Sequence, residues 1–198
     1  MGLDQYITIR HKSTNASYAK WENYCKLSEE ERKEVRKPKE PDSELTIGYF
    51  RKHNMIHGYF VDHVQGGVDD CGTYKFEYTV LEDLIQICKN VMSYVTKTQR
   101  PPKYIEDGKG NKCECFQYPE YKITKEGLEY AMEYLPLRDG FFFGTREYDD
   151  DYFWCVENAI EELTFVLQVT QKNYFKFYTD KKTGKYDGKW VLEYHASW

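Results

Sequence analysis

Arg51, Lys52, His53, Asn54 and His57 crowd into one segment, Gly48-Tyr-Phe-Arg-Lys-His-Asn-Met-Ile-His-Gly-Tyr-Phe-Val61. Two cations, an amide and imidazoles at this spacing suit an anionic group, because Arg and Lys supply charge-assisted hydrogen bonds and Asn and His orient what they hold. On a helix, Phe50, Asn54, His57, Val61 and Val64 step by four, three, four and three along one face. Asn54 and His57 then share an apolar stripe, and buried polar groups must be hydrogen-bonded or put to use. The pattern is also met by a core histidine donating to a backbone carbonyl with Arg51 and Lys52 in water, or by a protein-contact face.

Val68-Asp-Asp-Cys-Gly72 follows closely and can bring Asp69, Asp70 and Cys71 to His57. That is the composition of an acid–base or thiol cluster in a small hydrolase or transferase. It is also the composition of a plain Asp turn with Cys71 as a small buried residue. A third group, Arg146, Tyr148 and Asp149, ends Gly140-Phe-Phe-Phe-Gly-Thr-Arg-Glu-Tyr-Asp149, where a strand would lead to a helix N-terminus and face the first segment. The ligand-binding set expected from these residues is Arg51, Lys52, Asn54, His57, Asp69, Asp70, Arg146 and Tyr148. No metal is expected: His57, His63, Asp69, Asp70 and Asp149 to Asp151 match no familiar ligand spacing, and Cys113-x-Cys115 is half a zinc site whose alternating strand positions point apart. Phosphate loops, Gly-x-Gly-x-x-Gly turns and Gly-x-Ser-x-Gly elbows do not occur, so no cofactor is expected either.

Several elements must position these groups. Leu3, Gln5, Ile7 and Ile9 alternate with Asp4, Tyr6, Thr8 and Arg10, which is strand spacing. Tyr18, Trp21 and Cys25 recur at helical intervals, and Ser28 with Glu31 forms a capping box that opens a solvated, charged excursion over 28–44. A helix is expected from Phe50 to the Gly66-Gly67 pair, and another after a Thr79/Glu82 capping box, with Leu81, Leu84, Ile85, Cys88, Val91, Met92 and Val95 inward. Residues 103–122 read as a small hairpin or loop, and Thr124 caps a short helix. Residues 140–144 read as a buried strand, and Asp149 to Asp151 sit at the positive end of a helix reaching about Gln171. Alternation around Phe175 and Phe177, then around Trp190, Leu192, Tyr194 and Ala196, gives a C-terminal hairpin. The expected fold is one α+β domain over 1–198, a mainly antiparallel sheet from the N-terminal strand, the 140–144 strand and the C-terminal hairpin, covered by about four helices.

Composition limits the partners. Lys and Arg number 28 against 33 Asp and Glu, and a net charge of -5 is the wrong sign for unspecific nucleic-acid binding. It permits a basic protein partner, and homo-oligomers remain open. With 19 Tyr and 11 Phe, the interior and any binding surface must be built from rings. The six cysteines lack the spacing of a secreted disulfide scaffold and are read as thiols. No apolar run approaches the ~18 residues of a membrane span and no signal-peptide layout opens the chain, so no membrane role is expected and the cytoplasm is the default.

Met-Gly-Leu-Asp at the start, Gly48-Tyr-Phe-Arg-Lys-x-Asn-x-Ile-His-x-Tyr-Phe-Val61, Asp69-Asp-Cys71, Gly140-Phe-Phe-Phe-Gly144 and the Ser-Trp ending together resemble a family of small bacteriophage proteins, most of them without known function. Phe50 and Tyr59 stand where that family has Trp, which keeps an aromatic in each place. Some members carry the label phosphoglycerate kinase. That enzyme resembles two nucleotide-binding lobes with glycine-rich phosphate signatures, which this chain lacks, and the label is rejected. The resemblance implies a phage accessory protein in the host bacterial cytoplasm. Such a protein would bind a host factor or a nucleotide-like defence signal, without catalysis, and antagonise host machinery or immunity.

Overall fold

The N-terminal alternation makes strand β1 (Asp4–His11), with Gln5, Ile7 and Ile9 buried on one face and Tyr6 and Arg10 half-buried on the other. The computed structural model describes residues 2–38, 45–115, 117, 119–140, 143–170 and 190–198. Among them, β1 pairs antiparallel with β2 (Leu45–Arg51) on one side and β8 (Trp190–Ser197) on the other, and β8 pairs antiparallel with β3 (Thr73–Phe76). The order β2-β1-β8-β3 puts β1 and β8 side by side at the centre, with Asp4 opposite Ser197 and His11 opposite Trp190.

Helices cover the face that carries Ile7, Phe50 and Tyr194. α3 (Asn54–His63) stacks Phe60 flat on the Tyr194 ring, centroids 4.0 Å apart and 3° from parallel. α6 (Asp150–Gln168) buries Tyr152, Phe153, Val156, Ala159, Leu163 and Val166, and packs against β2 and against α4 (Tyr78–Ser93). α4 contributes Leu81, Leu84, Ile85, Cys88 and Val91, the apolar stripe expected of it. α1 (Lys12–Cys25) and α2 (Glu29–Glu34) follow β1; α2 opens on the Ser28/Glu31 capping box and buries no residue. A second small sheet pairs β4 (Val95–Thr98) with β7 (Glu120–Ile123), and the 103–122 region holds the hairpin of β5 (Lys103–Glu106) and β6 (Lys112–Cys115). α5 (Lys125–Tyr134) is capped by Thr124, whose side chain accepts from Gly127 N. The chain is an α+β protein with an antiparallel sheet, and the buried apolar residues of the described part, Val61 apart, form one continuous cluster.

Three expectations change. The helix expected from Phe50 begins at Asn54: Phe50 and Arg51 end β2, and Lys52 at φ 61 turns the chain into α3. The Thr79/Glu82 box is not a cap, because α4 starts at Tyr78 with Glu77 before it. The 140–144 strand is absent from the described part of that segment. Phe143 N donates to Gly140 O at 3.4 Å, and Gly144 at φ 115 passes so near Lys52 that a Cβ would lie 2.4 Å from its carbonyl oxygen; Phe141 and Phe142 lie outside the described residues. The sheet takes β2 and β3 instead, and the 174–178 half of the C-terminal hairpin also lies outside the described residues.

Candidate functional site

His57, in the middle of α3, has no solvent exposure, and both ring nitrogens are occupied. Nε2 stands 3.0 Å from Asp69 Oδ1 and Nδ1 2.8 Å from Tyr194 Oη. A carboxylate only accepts, so Nε2 donates to Asp69 and Nδ1 accepts from the tyrosine. Tyr194 Oη also lies 3.2 Å from Gln5 Oε1, and its one proton serves the two acceptors in turn. Gln5 Nε2 donates to the His53 carbonyl at 3.1 Å. In the other direction Arg138 Nε donates to Asp69 Oδ2 and Arg138 Nη1 to Asp62 Oδ1, each at 3.3 Å. Gly58 makes room for that arginine, since a Cβ there would already touch Arg138 Cβ at 3.4 Å.

The result is a line of hydrogen bonds from the part-exposed Arg138 through Asp69, His57 and Tyr194 to Gln5 at the sheet centre. Phe143 and Trp198 pack on the imidazole, centroids 5.5 and 5.4 Å away. Burial holds the His57 ring below the usual imidazole pKa; the Asp69 charge opposes this and Arg138 adds to it. Burial, with the Asp69 charge second, pushes the Tyr194 hydroxyl well above its usual value. A carboxylate, an imidazole and a phenol in sequence are the parts of a proton relay, but this one is enclosed by rings and ties α3, β8 and the 69 and 138 loops together.

The expected ligand set does not gather around it. Arg51 is exposed on β2 and ion-pairs with Asp4 at 3.8 Å, and Lys52 is exposed at the turn. Asn54 is 1% exposed; its Nδ2 donates to Thr145 O at 2.6 Å, and its Oδ1 has no partner among the described residues. The cavity expected from Arg51, Lys52, Asn54 and His57 is therefore overturned: the strand-to-helix change at Lys52 sends the cations to solvent and the amide and imidazole into the core. Asp69 does meet His57. Asp70 instead accepts from Gly72 N and from Tyr74 Oη, each at 2.9 Å, and Cys71 is exposed at φ 49 instead of buried. Arg146 is exposed, while Tyr148 is half-buried against Tyr152 with centroids 4.8 Å apart. His63 stacks on Tyr59, and Asp149 caps α6 by accepting from Tyr152 N. Among the described residues, no three His, Cys, Asp or Glu side chains gather as metal ligands.

A cavity among the described residues opens elsewhere, on the sheet face turned away from α3 and α6. Register places Tyr49, Tyr6, His195 and Thr73 in one row across all four strands, and Thr46, Thr8, Glu193 and Lys75 in the next. Tyr6 lies 5.3 Å from Tyr49 and stacks on His195 at 5.9 Å with the rings 19° apart. Tyr6, Thr8, Thr46, Thr73 and His195 line a cavity of about 380 Å³. Among the charged residues described on this face, Arg51 pairs with Asp4 and Arg10 with Glu193 at 3.1 Å, and Lys75 stands exposed in the second row beside Glu193.

No family model, curated protein or solved structure matches the chain. The site is therefore argued from its own geometry. Sequence reading placed Gln5 and Tyr194 on the apolar side of their strands, and a polar atom at such a position signals a hydrogen-bond partner in the core. The partner itself, and Arg138, carried no signal. The sheet-face row needed register, which alternation alone does not give.

Proposed function

We propose that this chain is a bacteriophage accessory protein of the host cytoplasm that acts by binding, and that its ligand is a nucleotide-like signal held on the sheet face turned away from α3 and α6. The observation that carries this reading is the Tyr49–Tyr6–His195 row beside a threonine-lined cavity of about 380 Å³. Aromatic faces stack on bases whatever their sequence, hydroxyls donate and accept, and a cavity of this size falls in the usual range for small-ligand sites. No helix among the described residues is long and apolar enough to cross a membrane, which accords with a partner met in solution. The enclosure of His57 favours binding over the hydrolase or transferase reading, since an acid–base group must reach the proton it moves.

The test is to incubate purified protein with labelled cyclic and linear nucleotides, remove the unbound fraction and release the remainder by heating. Recovery of intact ligand from the native protein, and its loss from Tyr6→Ala, is the expected result. An altered product would transfer the case to the enzyme reading, with His57 and Asp69 as the pair the structure brings together. No retention of any nucleotide would leave a host protein as the partner and end the nucleotide reading.

A further inference from the structure

The buried line through His57 is one proton short. Gln5 Nε2 donates to the His53 carbonyl at 3.1 Å, which fixes the amide and turns Oε1, an acceptor only, toward Tyr194. His57 Nε2 donates to Asp69 Oδ1, so Nδ1 of the neutral ring is an acceptor as well. Two acceptors thus flank one phenol, 2.8 and 3.2 Å from its oxygen, with a single proton between them. Whichever way the hydroxyl turns, one acceptor in a fully buried side chain is left without a donor among the described residues. Charge is short by the same amount. Asp62 and Asp69 are both held by Arg138, each at 3.3 Å, so two carboxylates share one guanidinium.

Independently of any ligand, we infer that this line is a pH-responsive switch: His57 takes up one proton at Nδ1, and Tyr194 turns its hydroxyl from His57 to Gln5. In the protonated line Nδ1 donates to Tyr194 Oη, Tyr194 donates to Gln5 Oε1 and Nε2 still donates to Asp69, so no acceptor is left over. The new cation balances the second carboxylate. α3, β8 and β1 are then joined by two bonds at once, where the neutral line closes one at a time. The surrounding groups set the pH at which this happens. Burial, the largest effect, opposes the charge on the ring and Arg138 opposes it too, while Asp69 favours it, so uptake comes below the ordinary imidazole value of ~6.5. The Tyr194 hydroxyl, pushed well above its usual value by burial, keeps its own proton throughout. His53, one turn earlier on α3, is held below its usual value by burial, and Phe143 and Trp198, which pack on the His57 ring, carry no side-chain charge.

NMR of the full chain with labelled histidine, followed from neutral pH downward, reads the switch, with His57 assigned through its contact to the Trp198 ring. The Nδ1 signal is expected to pass from that of a nitrogen bearing a lone pair to that of a protonated one, below pH ~6.5 and while the backbone amide spectrum stays native. Gln5→Met removes the last acceptor of the protonated line and is expected to lower the His57 proton affinity roughly tenfold, a titration midpoint about one pH unit lower. Tyr194→Phe, which keeps the ring on Phe60, takes the acceptor from the Nδ1 proton and is expected to lower the midpoint at least as far, so the inference does not depend on how well Gln5→Met folds. Side chains that served packing alone would change the unfolding midpoint and leave the His57 titration where it is. A His57 Nδ1 that stays unprotonated until the chain unfolds overturns the inference, and so does an unmoved His57 titration in either variant.

Discussion

Tyr194 contributes a single hydroxyl to the core, and two side chains depend on it. Without that group His57 Nδ1 has no donor and Gln5 Oε1 has no neighbouring proton, both in fully buried side chains. Tyr194→Phe keeps the ring stacked on Phe60 and removes only the oxygen, so it should cost about 1–3 kcal/mol of stability, the penalty for stranding buried polar atoms. Urea unfolding checks this; an unchanged midpoint would show that the hydroxyl is not needed. The imidazole gives a second prediction. Its folded pKa lies below the ordinary value of ~6.5, chiefly through burial. His53 shifts the same way for the same reason, against its bonds to the Arg51 carbonyl and Asn158. As pH falls below ~6.5 the unfolded chain takes up these protons before the folded chain does, so stability is full above that pH and declines as pH drops through the folded values. Unfolding midpoints measured from neutral pH down to ~5 should fall steadily; a flat or rising profile contradicts the burial argument. Part of this was legible in the sequence. His57 was placed on an apolar stripe and Asp69 within its reach, whereas Arg51 and Lys52 were grouped with it only because a helix was carried through Lys52. A single left-handed residue moved them to another face, and no periodicity announces that.

Elements whose ends carry local hydrogen-bond signatures were read well except at α4, where Thr79 and Glu82 lie inside the helix and cap nothing. Ser28 with Glu31, Thr124 and Asp149 all cap as their types and spacing require, since a side-chain oxygen there satisfies an N–H that the helix leaves unpaired. Elements defined by what they pack against were read less well. β2 shares Phe50 with the helical pattern of α3, and its true period shows only in burial, with Ile47 and Phe50 inside and Tyr49 outside. Asp149→Ala should destabilise the protein by about 1 kcal/mol, because α6 loses its cap and Thr145 loses the bond from its hydroxyl to Asp149. A thermal melt reads the loss, and an unaltered melting point would mean that water replaces the cap without cost. Gly127→Ala tests packing instead of capping. In an exposed helix the change would gain up to ~1 kcal/mol. Here the new Cβ would stand 2.3 Å from Tyr94 Cβ, which leads into β4, and 2.9 Å from Ile123 at the end of β7. The close approach should win and leave the variant about 1–3 kcal/mol less stable. A stabilised variant would mean that α5 and the β4–β7 pair shift apart freely.

At the scale of the molecule, the centre of the sheet is made by the strands farthest apart in sequence. β1 and β8 are partners along their whole length, from Asp4 opposite Ser197 to His11 opposite Trp190, and β8 alone links β1 to β3. The α+β class was legible because each strand and helix announces its own period; the strand order was not, because it depends on contacts across nearly the full chain. That topology has an energetic consequence. β8 brings Leu192, Tyr194 and Ala196 into the core, supplies the phenol of the His57 line and half of the Tyr6–His195 stack, and is followed by the Trp198 ring that packs on His57. Deleting residues 190–198 should therefore abolish cooperative unfolding and not merely lower its midpoint: two strands lose their neighbour, and the buried face of β1 is opened on one side. The reverse experiment adds the missing strand back as a peptide covering 190–198. Because the ladder is antiparallel and its inward side chains are apolar, the peptide should restore a sigmoidal urea transition when present in excess, with a midpoint that rises with its concentration. A truncated chain that unfolds as cooperatively as the full one would show that β1, β2 and the helices form a core by themselves, and would remove β8 from both the buried line and the proposed binding face as a structural necessity.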